Sequence, residues 1–390
     1  MRRFSPFWIA SAIWLSACVT SSPNSLLHHP VPTSAEIDAK AAAAMASTGA
    51  QGLAIAVIDN GRIVHVNSYG KRNAAGDPLK RNTIMYGASL TKAVFAYAVM
   101  QMVEEGKIGL DVPIERYLAL PLPRYTDAET EDRYARWSDL EGDDRWRKLT
   151  PRMLLTNSSG FANFGFLEPD GKLRFHFEPG TRYAYSGDGF ILLQFVLENA
   201  VGLDLGDEMQ RRVFDRFGMR NTSMIWREDF RDNLADGWDL KGRVEPHDER
   251  SRVRAAGSMD TTIEDFALFA AAYIRGEGLS PAGRAELTRP QLPITTRTQF
   301  PTLQAELPPA KRRADLAAGL GVIVFSGPQG PGFEKGGHND TTGNSWVCVE
   351  RRRSCVVLLA NDVRAEAAFP DLVRFILGET GAPYDFTSNF

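Results

Sequence analysis

The chain has 390 residues, of which 43% are hydrophobic and 24% are charged, and its formal net charge at pH 7 is -3. This composition is typical of a globular protein with one large domain or two smaller ones. A net charge this small gives no electrostatic reason to expect nucleic acid as a partner, so we expect a small substrate instead.

The first 18 residues have the form of an export signal. Arg2 and Arg3 precede an apolar run from Phe7 to Ala17, which is too short to span a bilayer comfortably. The run ends in Leu15-Ser16-Ala17-Cys18, which resembles the lipobox of bacterial lipoproteins and implies lipid attachment at Cys18 after cleavage. A plain signal peptide cleaved nearby is the alternative. Either interpretation predicts export, and the first predicts a periplasmic lipoprotein anchored to the envelope membrane.

The first folded elements follow a short tether. Residues 19–33 are rich in Ser, Pro, Asn and His, which is typical of a linker. Thr33 with Glu36 resembles a capping box and predicts a helix from there to about Ser47. Leu53 to Ile58 and Arg62 to Ser68 are strand-like, and Asp59-Asn60-Gly61 between them is a strong hairpin signal.

The next predicted helix, which runs to Gly106, begins with Ser89-Leu90-Thr91-Lys92. A serine and a lysine three residues apart lie on one helix face, so the amine can reach and activate the hydroxyl. The apolar stripe of this helix points the same way, which predicts that the pair faces inward. Burial, together with a nearby cation, would lower the pKa of Lys92 so that its amine can act as a base. The helix start also supplies backbone N–H groups that suit an oxyanion beside Ser89.

A second Ser-x-x-Lys match, Ser68-Tyr69-Gly70-Lys71, ends a predicted strand and has no helical pattern after it. Its serine and lysine would not share a helix face, so we interpret it as a coincidence. The pattern is weak by itself, and Ser89 and Lys92 gain weight only from motifs that follow in order.

The middle of the chain is mainly helical. Tyr125 to Lys148 is charged and aromatic without a clean period, and we interpret it as a surface excursion near the site entrance. Helices are predicted at Leu154, Phe190 to Ala200, Glu208 to Phe217, Thr262 to Arg275 and Asp371 to Gly378, and strands at Gly319 to Phe325, Ser345 to Val349 and Cys355 to Ala360. We therefore predict a sheet domain with flanking helices from residues 34–85 and 260–390, and a helical domain, residues 86–259, inserted between them.

Export also permits disulfides. Cys348 and Cys355 flank Glu350-Arg351-Arg352-Arg353, and a tight turn at Arg351-Arg352 would place them opposite each other on neighbouring strands. We predict a hairpin disulfide between these two cysteines.

A second candidate site element is Pro179-Gly180-Thr181-Arg182-Tyr183-Ala184-Tyr185-Ser186, which leads from a turn into the helix at Phe190. A tyrosine held there can exchange protons with the serine or the leaving group if Lys92 lowers the pKa of its phenol. These two motifs, followed by a Gly-His element before two C-terminal strands, resemble the serine hydrolase family of class C β-lactamases, D-alanyl-D-alanine carboxypeptidases and esterases.

The resemblance covers roughly Ala35 to Ile376. Leu154 to Gly160, for example, is similar to the family's Leu-Leu-Thr-His-Thr-Ser-Gly stretch, and several matches in family order are more specific than any one. The resemblance implies an α+β fold of the β-lactamase and transpeptidase type. Its antiparallel sheet is flanked by N- and C-terminal helices and carries an inserted, mainly helical domain.

The resemblance also implies roles for individual residues. Ser89 would be the nucleophile, Lys92 its activating partner and Tyr185 a proton-transfer group. His338 falls where the family has Lys-Thr-Gly or His-x-Gly on the strand that lines the site, and a cation there would attract a substrate carboxylate. The backbone N–H near Thr341 would complete the oxyanion hole with that of Ser89. The structural alternatives are a buried Tyr185 bonded to a carbonyl and a turn histidine at 338.

Two positions depart from the family pattern. Gly187 replaces the asparagine of Tyr-x-Asn, whose amide holds the acylamide of the substrate in family members. Asp340 replaces the glycine after the strand cation and adds a negative charge where β-lactams pass. Both departures weaken the case for efficient β-lactam hydrolysis, but neither changes the acylation machinery.

Other enzyme classes fit less well. The six histidines, His28, His29, His65, His176, His247 and His338, show no spaced zinc-ligand motif, and no serine lies in Gly-x-Ser-x-Gly. The remaining rival is an envelope lipoprotein that keeps the fold but binds a peptidoglycan fragment or a protein partner without turnover. We expect a cofactor-independent serine hydrolase that forms an acyl-enzyme with an ester, a D-amino-acid peptide or a β-lactam.

Overall fold

A computed structural model of the chain describes Met1 and residues 29–387. The predicted lipidation site, Cys18, lies outside the described residues, as do most of the predicted signal and tether. Among the described helices, none is both long enough and apolar enough to cross a membrane.

The strands are β1 (Gly52–Asp59), β2 (Arg62–Gly70), β3 (Met85–Tyr86), β4 (Gly237–Trp238), β5 (Val244–Glu245), β6 (Asp260–Thr261), β7 (Leu292–Pro293), β8 (Leu316–Ala318), β9 (Ile323–Gly327), β10 (Gly330–His338), β11 (Gly343–Val349) and β12 (Ser354–Ala360). The α-helices are α1 (Ser34–Thr48), α2 (Leu90–Glu104), α3 (Ala128–Arg133), α4 (Pro151–Leu155), α5 (Gly187–Asn199), α6 (Leu205–Met209), α7 (Asp215–Phe217), α8 (Ile263–Arg275), α9 (Pro281–Thr288), α10 (Phe369–Leu377) and α11 (Tyr384–Thr387). A π-helical turn, Gln210–Phe214, joins α6 to α7.

The first predicted helix and hairpin are confirmed. Thr33 and Glu36 form the capping box: the Glu36 N–H donates to Thr33 Oγ1 at 3.3 Å, and the Thr33 N–H donates to Glu36 Oε2 at 2.8 Å. These contacts satisfy helix N–H groups that have no intrahelical acceptor, so α1 begins at Ser34. β1 and β2 pair antiparallel across the Asn60-Gly61 turn, with Asp59 opposite Arg62.

One antiparallel sheet of eight strands organises the molecule, in the order β2-β1-β12-β11-β10-β9-β8-β7. Alternate residues of β1 enter two different cores because successive strand side chains point to opposite faces. Leu53 and Ile55 pack with α1 and α10, whereas Ala54 and Ala56 pack with α2, α5 and α8. The α+β architecture with N- and C-terminal helices on one face of the sheet is therefore confirmed.

The residue pattern did not predict strand β10, although the resemblance implied a strand at His338. Its residues, Gly330–His338, contain four glycines and lack the alternating apolar pattern of a strand. The strand forms because β11 pairs with it along Gly332–His338 and β9 pairs with Gly330–Glu334. Beyond Glu334, the β9 side of β10 has no partner among the residues paired in this sheet, and this free edge faces the candidate site.

The interpretation of Tyr125 to Lys148 as a surface excursion is wrong. Trp137 and Trp146 are buried, at 0% and 2% exposure, and both belong to the core that packs under α5. The Trp137 ring lies 5.6 Å from that of Phe195 on α5. The segment is therefore part of the helical layer. The many charged residues around Trp137 and Trp146 gave the sequence the pattern of an exposed segment.

The two cysteines meet across the β11–β12 hairpin. Cys348 lies directly opposite Cys355, with Cα atoms 4.1 Å apart, and the two sulfurs form a disulfide. The turn between the strands includes Arg353 at a φ of 48°, and its N–H donates to the Glu350 carbonyl at 3.0 Å.

Candidate active site

A cleft of about 430 Å³ opens where the free edge of β10 meets the start of α2. Residues from both layers line it, among them Ser89, Lys92, Tyr185 and Lys335. Three of the four residues expected to act chemically, Ser89, Lys92 and Tyr185, thus meet in one cavity, and the fourth, His338, lies on its wall.

Ser89 is the residue immediately before the first turn of α2. Ala88, which precedes it, has a φ of 45°, a left-handed conformation that costs a non-glycine residue energy and is concentrated at functional sites. Lys92 Nζ donates a hydrogen bond to Ser89 Oγ at 3.1 Å and another to the Ala256 carbonyl. The helix therefore brings the hydroxyl and the amine together in the way that the three-residue spacing predicts.

The Lys92 amine is held in a state that favours loss of its proton. Its side chain is 1% exposed, and burial lowers its pKa well below the ordinary value of a lysine. The positive charge of Lys335 lowers this pKa further. Both causes disfavour the ammonium form, so the amine can accept the proton of the Ser89 hydroxyl.

Tyr185 reaches the pair from the loop before α5. Asn157, at a φ of 53°, fixes this loop: its carbonyl accepts from the Ala184 N–H at 2.8 Å, and its Oδ1 accepts from the Ser186 N–H at 3.0 Å. The Tyr185 ring centroid lies 5.0 Å from Lys92 Nζ, and the side chain shares a hydrogen bond with Ser89. The Leu154 to Gly160 stretch thus positions the tyrosine.

The expectation that Lys92 lowers the pKa of Tyr185 is wrong. Burial raises the pKa of Tyr185 above its ordinary value, and the hydrogen bond with Ser89 opposes that rise only in part. The reason is that both groups are buried together and the neutral form of Lys92 carries no charge with which to stabilise a phenolate. Tyr185 is therefore a neutral phenol that can relay a proton.

The cation of the β10 strand is Lys335, which was not among the site residues predicted from the sequence. Its Nζ lies 5.4 Å from the centroid of the Tyr185 ring, and its charge acts on Lys92. The sequence did contain a signal, because Lys335-Gly336-Gly337 keeps the lysine and the last glycine of Lys-Thr-Gly. A Cβ atom at Gly337 would lie 3.2 Å from the Ser89 nitrogen and 2.7 Å from the Gly87 carbonyl, so only glycine allows this approach.

The assignment of His338 as the strand cation is therefore corrected. His338 ends β10 and lines the cavity, but its Nδ1 is 2.9 Å from Glu366 Oε1, so its side chain pairs with that carboxyl. The lysine three positions earlier occupies the place against Tyr185 and Lys92, because the strand runs past Ser89 at Gly337.

The roles expected of Thr341 and Asp340 also change. The Thr341 N–H donates to Asn339 Oδ1 at 3.0 Å within the turn after β10, and its side chain packs on Gly237. It is therefore not available to an oxyanion. Asp340 is exposed in the same turn and does not line the cleft.

Gly187 lies at the start of α5, and a neighbouring loop fills the space that an asparagine would need. A Cβ atom at Gly187 would lie 2.2 Å from the Phe164 ring. The Gly187 N–H donates to Asn163 Oδ1 at 3.0 Å, and Asp188 Oδ2 accepts from the Gly165 N–H at 2.6 Å. Asn163 and Phe164 line the cleft, so another segment supplies a carboxamide where this chain lacks that of Tyr-x-Asn.

Within the described residues, no group of three or more His, Cys, Asp or Glu side chains is arranged to hold a metal ion. Beside Ser89 the cleft brings together a hydroxyl, an amine, a phenol and backbone N–H groups. This set suits acyl transfer to Ser89.

Known proteins are similar to this chain in sequence and in fold. The family model described as Beta-lactamase matches residues 37–378. Lovastatin esterase of Penicillium rubens is 30% identical over 208 residues, which cover 45% of this chain and 49% of that protein. Esterase EstB of Burkholderia gladioli is 26% identical over 187 residues, with 44% and 47% covered. The chain thus spans about half the length of the curated relatives that it matches.

Solved structures extend the likeness to nearly the whole chain. EstCE1, a hydrolase with promiscuous acyltransferase activity, is 20% identical with a TM-score of 0.70, covering 88% of this chain and 98% of its own. The D-alanine carboxypeptidase AmpC from Burkholderia cenocepacia is 19% identical with a TM-score of 0.67, covering 88% and 97%. At this identity the likeness shows the fold, and the match to the family model extends over most of the sequence. The chain belongs to the β-lactamase family of serine hydrolases.

Proposed function

We propose that the protein is a serine hydrolase that works through a covalent acyl-enzyme on an ester, a D-amino-acid peptide or a β-lactam. The 3.1 Å contact between Lys92 Nζ and Ser89 Oγ carries this proposal, because a buried amine of lowered pKa can take the hydroxyl proton. The esterases among the relatives favour an ester as the first substrate to test.

In the first step, Ser89 Oγ attacks the carbonyl carbon of the substrate while its proton passes to Lys92 Nζ. The carbonyl oxygen becomes an oxyanion, and the bond to the leaving group breaks as the tetrahedral intermediate collapses. Tyr185, a neutral phenol within hydrogen-bond reach of Ser89, relays a proton from Lys92 to the leaving group. In the second step, water gives a proton to Lys92 Nζ and its oxygen attacks the acyl carbon. The bond between that carbon and Ser89 Oγ then breaks, Ser89 Oγ takes a proton back from Lys92, and the acid is released.

Two backbone N–H groups suit the oxyanion. One belongs to Ser89, at the start of α2, where helix N–H groups have no intrahelical acceptor. The other belongs to His338. The Asn339 N–H donates to the Thr342 carbonyl, so these two residues form a hydrogen-bonded pair. Hydrogen-bonded and non-hydrogen-bonded pairs alternate along an antiparallel ladder, so the next pair, His338 and Gly343, is not hydrogen-bonded. The His338 N–H therefore faces the free edge of β10, where it can donate to an oxyanion. His338 would then act through its backbone, in the place first given to Thr341.

Active-site labelling combined with product detection tests the proposal. The purified full-length protein is treated with a fluorescent fluorophosphonate and then assayed with a nitrophenyl ester, a D-alanyl-D-alanine peptide and a chromogenic cephalosporin. We expect label on Ser89 and turnover of at least one substrate. Both should be lost in Ser89→Ala and kept in Ser68→Ala, which changes the other Ser-x-x-Lys serine.

Two outcomes would overturn the proposal. Unchanged turnover in Ser89→Ala would reject Ser89 as the nucleophile. A labelled Ser89 with no turnover of any substrate would favour an envelope protein that binds a peptidoglycan fragment or a partner without hydrolysis.

We also propose that the chain is exported and held at the envelope membrane by lipid on Cys18, where peptidoglycan-derived substrates would be within reach. The Arg2-Arg3 pair, the apolar run and Leu15-Ser16-Ala17-Cys18 support this. Cys18→Ser should move the protein from the membrane fraction to the soluble fraction and abolish incorporation of labelled palmitate. A membrane fraction that is unchanged in Cys18→Ser would reject the anchor.

A further inference from the structure

Beside the Ser89 pair, the cleft contains a buried carboxyl group that the proposed reaction does not use. Glu334 on β10 is 2% exposed and lines the cleft, yet no hydrogen bond among the described residues reaches its carboxyl group. A buried carboxyl group that no hydrogen-bond donor reaches is costly, so one that faces a cavity has room for a ligand that donates to it.

A second carboxyl group lines the same part of the cleft. Glu366, in the turn before α10, has a side chain only 12% exposed and accepts its single hydrogen bond within the described structure from His338 Nδ1. The hydroxyls of Ser345 and Tyr384, 2.9 Å apart, complete this wall. The pocket therefore offers several oxygen acceptors beside each other.

Gly336 lies on β10 between these carboxyl and hydroxyl groups and the part of the free edge that passes Ser89. A Cβ atom at Gly336 would lie 3.3 Å from Glu334 Oε1, so the absence of a side chain leaves the carboxyl group open to the cleft. Since β9 pairs with β10 only as far as Glu334, a molecule bound along the edge at Ser89 can extend into this wall.

In the part of the chain that the structure describes, the neighbouring cations act on the two carboxyl groups without giving Glu334 a hydrogen-bond donor: the charge of Lys335 favours the ionised form of Glu334, and His338 pairs with Glu366. Lys335 Nζ donates to the Gly336 carbonyl at 2.5 Å and lies over the Tyr185 ring, and no hydrogen bond joins it to Glu334 within residues 29–387. Arg254 also lines the cleft, but its charge acts on Asp188 and Asp132. Burial raises the pKa of Glu334 and of Glu366, and the charge of Lys335 and the hydrogen bond from His338 oppose these rises only in part.

We propose that Glu334 and Glu366 form a subsite for a protonated amine of the substrate, next to the scissile acyl bond. The inference rests on the proposed hydrolase function and narrows its substrate class to molecules with an ammonium group on this side of the carbonyl. An ammonium supplies the N–H donors that the Glu334 carboxyl group lacks and adds positive charge beside both carboxyl groups. A substrate with a carboxylate at the same position would meet like charge and bind poorly.

A binding measurement on protein that cannot acylate separates this subsite from catalysis. Full-length Ser89→Ala is titrated with benzylamine, benzyl alcohol and benzoate by ligand-observed NMR. We expect benzylamine to bind about ten-fold more tightly than benzyl alcohol, as charge-assisted hydrogen bonds imply, and benzoate to bind most weakly. Glu334→Gln in this background should remove the preference for the amine and leave the affinity for the alcohol unchanged.

Asp340→Asn is the matched control, because it removes an exposed acid of the neighbouring turn that does not line the cleft. It should keep the preference for benzylamine. Glu366→Gln provides a second variant if Glu334→Gln fails to fold, and it should also weaken the amine preference. Equal affinity for all three ligands, a preference for benzoate, or an undiminished preference in both glutamine variants would overturn the subsite.

The ester assay of the unaltered protein keeps the two proposals apart. If the amine binds through Glu334 but no substrate is turned over, the subsite stands and the hydrolase function fails. If esters are hydrolysed and the amine is not preferred, the function stands and the subsite fails.

Discussion

Lys92 donates a hydrogen bond over 3.1 Å to the Ser89 hydroxyl from a side chain that is 1% exposed. The two residues are only one helical turn apart, but the groups that surround the Lys92 amine are distant in the sequence. The rings of Tyr185 and Phe190, 5.0 and 5.6 Å from the amine, and the charge of Lys335 come from distant parts of the chain. The amine is therefore a base only in the folded protein.

Removing this amine should remove most of the activity. Lys92→Met keeps an unbranched side chain in the same buried space but has no group to accept the serine proton. We expect kcat for a hydrolysed ester to fall by about 10²- to 10⁴-fold, the usual contribution of a positioned base, in steady-state assays.

Lys71→Met is the matched control for that variant. Lys71 is the exposed lysine of the second Ser-x-x-Lys match, and its replacement should leave kcat unchanged. Equal losses in the two variants, or full activity in Lys92→Met, would contradict the role of Lys92. Circular dichroism spectra of both proteins show whether the fold is retained.

The pH dependence of the reaction should report the state of Lys92. Because burial and the charge of Lys335 lower its pKa, the rising limb of kcat/KM should lie well below the pH at which an exposed lysine loses its proton, about 10.4. Lys335→Met removes the second cause, so the pKa of Lys92 should rise and the limb should move to higher pH.

Lys311→Met, a change at an exposed lysine outside the cleft, should leave the limb where it is. A purely structural role of Lys335 would lower the rate at every pH without moving the limb. An unmoved limb in Lys335→Met would therefore count against electrostatic coupling between the two amines.

Short sequence patterns correctly predicted the features that are stabilised by contacts between residues close together in the sequence. The Thr33–Glu36 cap, the β1–β2 hairpin and the Ser89–Lys92 turn each join residues that are three or four apart or lie across a short turn. In each case, the residue types alone favour one local geometry, so the sequence is sufficient to predict it.

Features that depend on distant contacts could not be predicted in this way. β10 is a strand because β9 and β11 flank it, and its glycines carry no strand signal. The assignment of His338 in place of Lys335 was wrong although Lys335-Gly336-Gly337 keeps two residues of the family's Lys-Thr-Gly. His338 can also be aligned with the strand cation, and the approach of Gly337 to Ser89 decides between the two alignments.

The hairpin disulfide should stabilise the fold without taking part in the chemistry. Neither cysteine lines the cleft, and the bond closes a short loop between residues seven apart. Cys348→Ala combined with Cys355→Ala should lower the free energy of unfolding by about 2–3 kcal/mol, the range for a loop of this size. Urea denaturation measures the change.

Reduction gives an independent check on that value. A reductant should destabilise the unaltered protein by a similar amount and leave the double variant unaffected. If the unaltered protein contains two free thiols, or if ester hydrolysis falls with the disulfide, the prediction is wrong.

The last prediction concerns Gly187, where family members have an asparagine. A Cβ atom there would meet the Phe164 ring at 2.2 Å, so Gly187→Asn forces the ring or the helix start to move. We expect this change to lower the free energy of unfolding by about 1–3 kcal/mol, as overpacking does. In Gly187→Asn with Phe164→Ala, most of that cost should disappear because the space is then free.

A double-mutant cycle distinguishes this clash from a general intolerance of asparagine at the start of α5. If the clash with Phe164 is the cause, the two changes should be non-additive by about 1 kcal/mol or more in urea denaturation. Strict additivity would mean that Phe164 does not exclude the side chain.

The same four proteins test the role of the Asn163 carboxamide. Asn163 Oδ1 accepts from the Gly187 N–H at 3.0 Å, and Asn163 lines the cleft. Displacing its loop in Gly187→Asn should therefore raise KM for an acylamide-bearing ester more than for a plain ester.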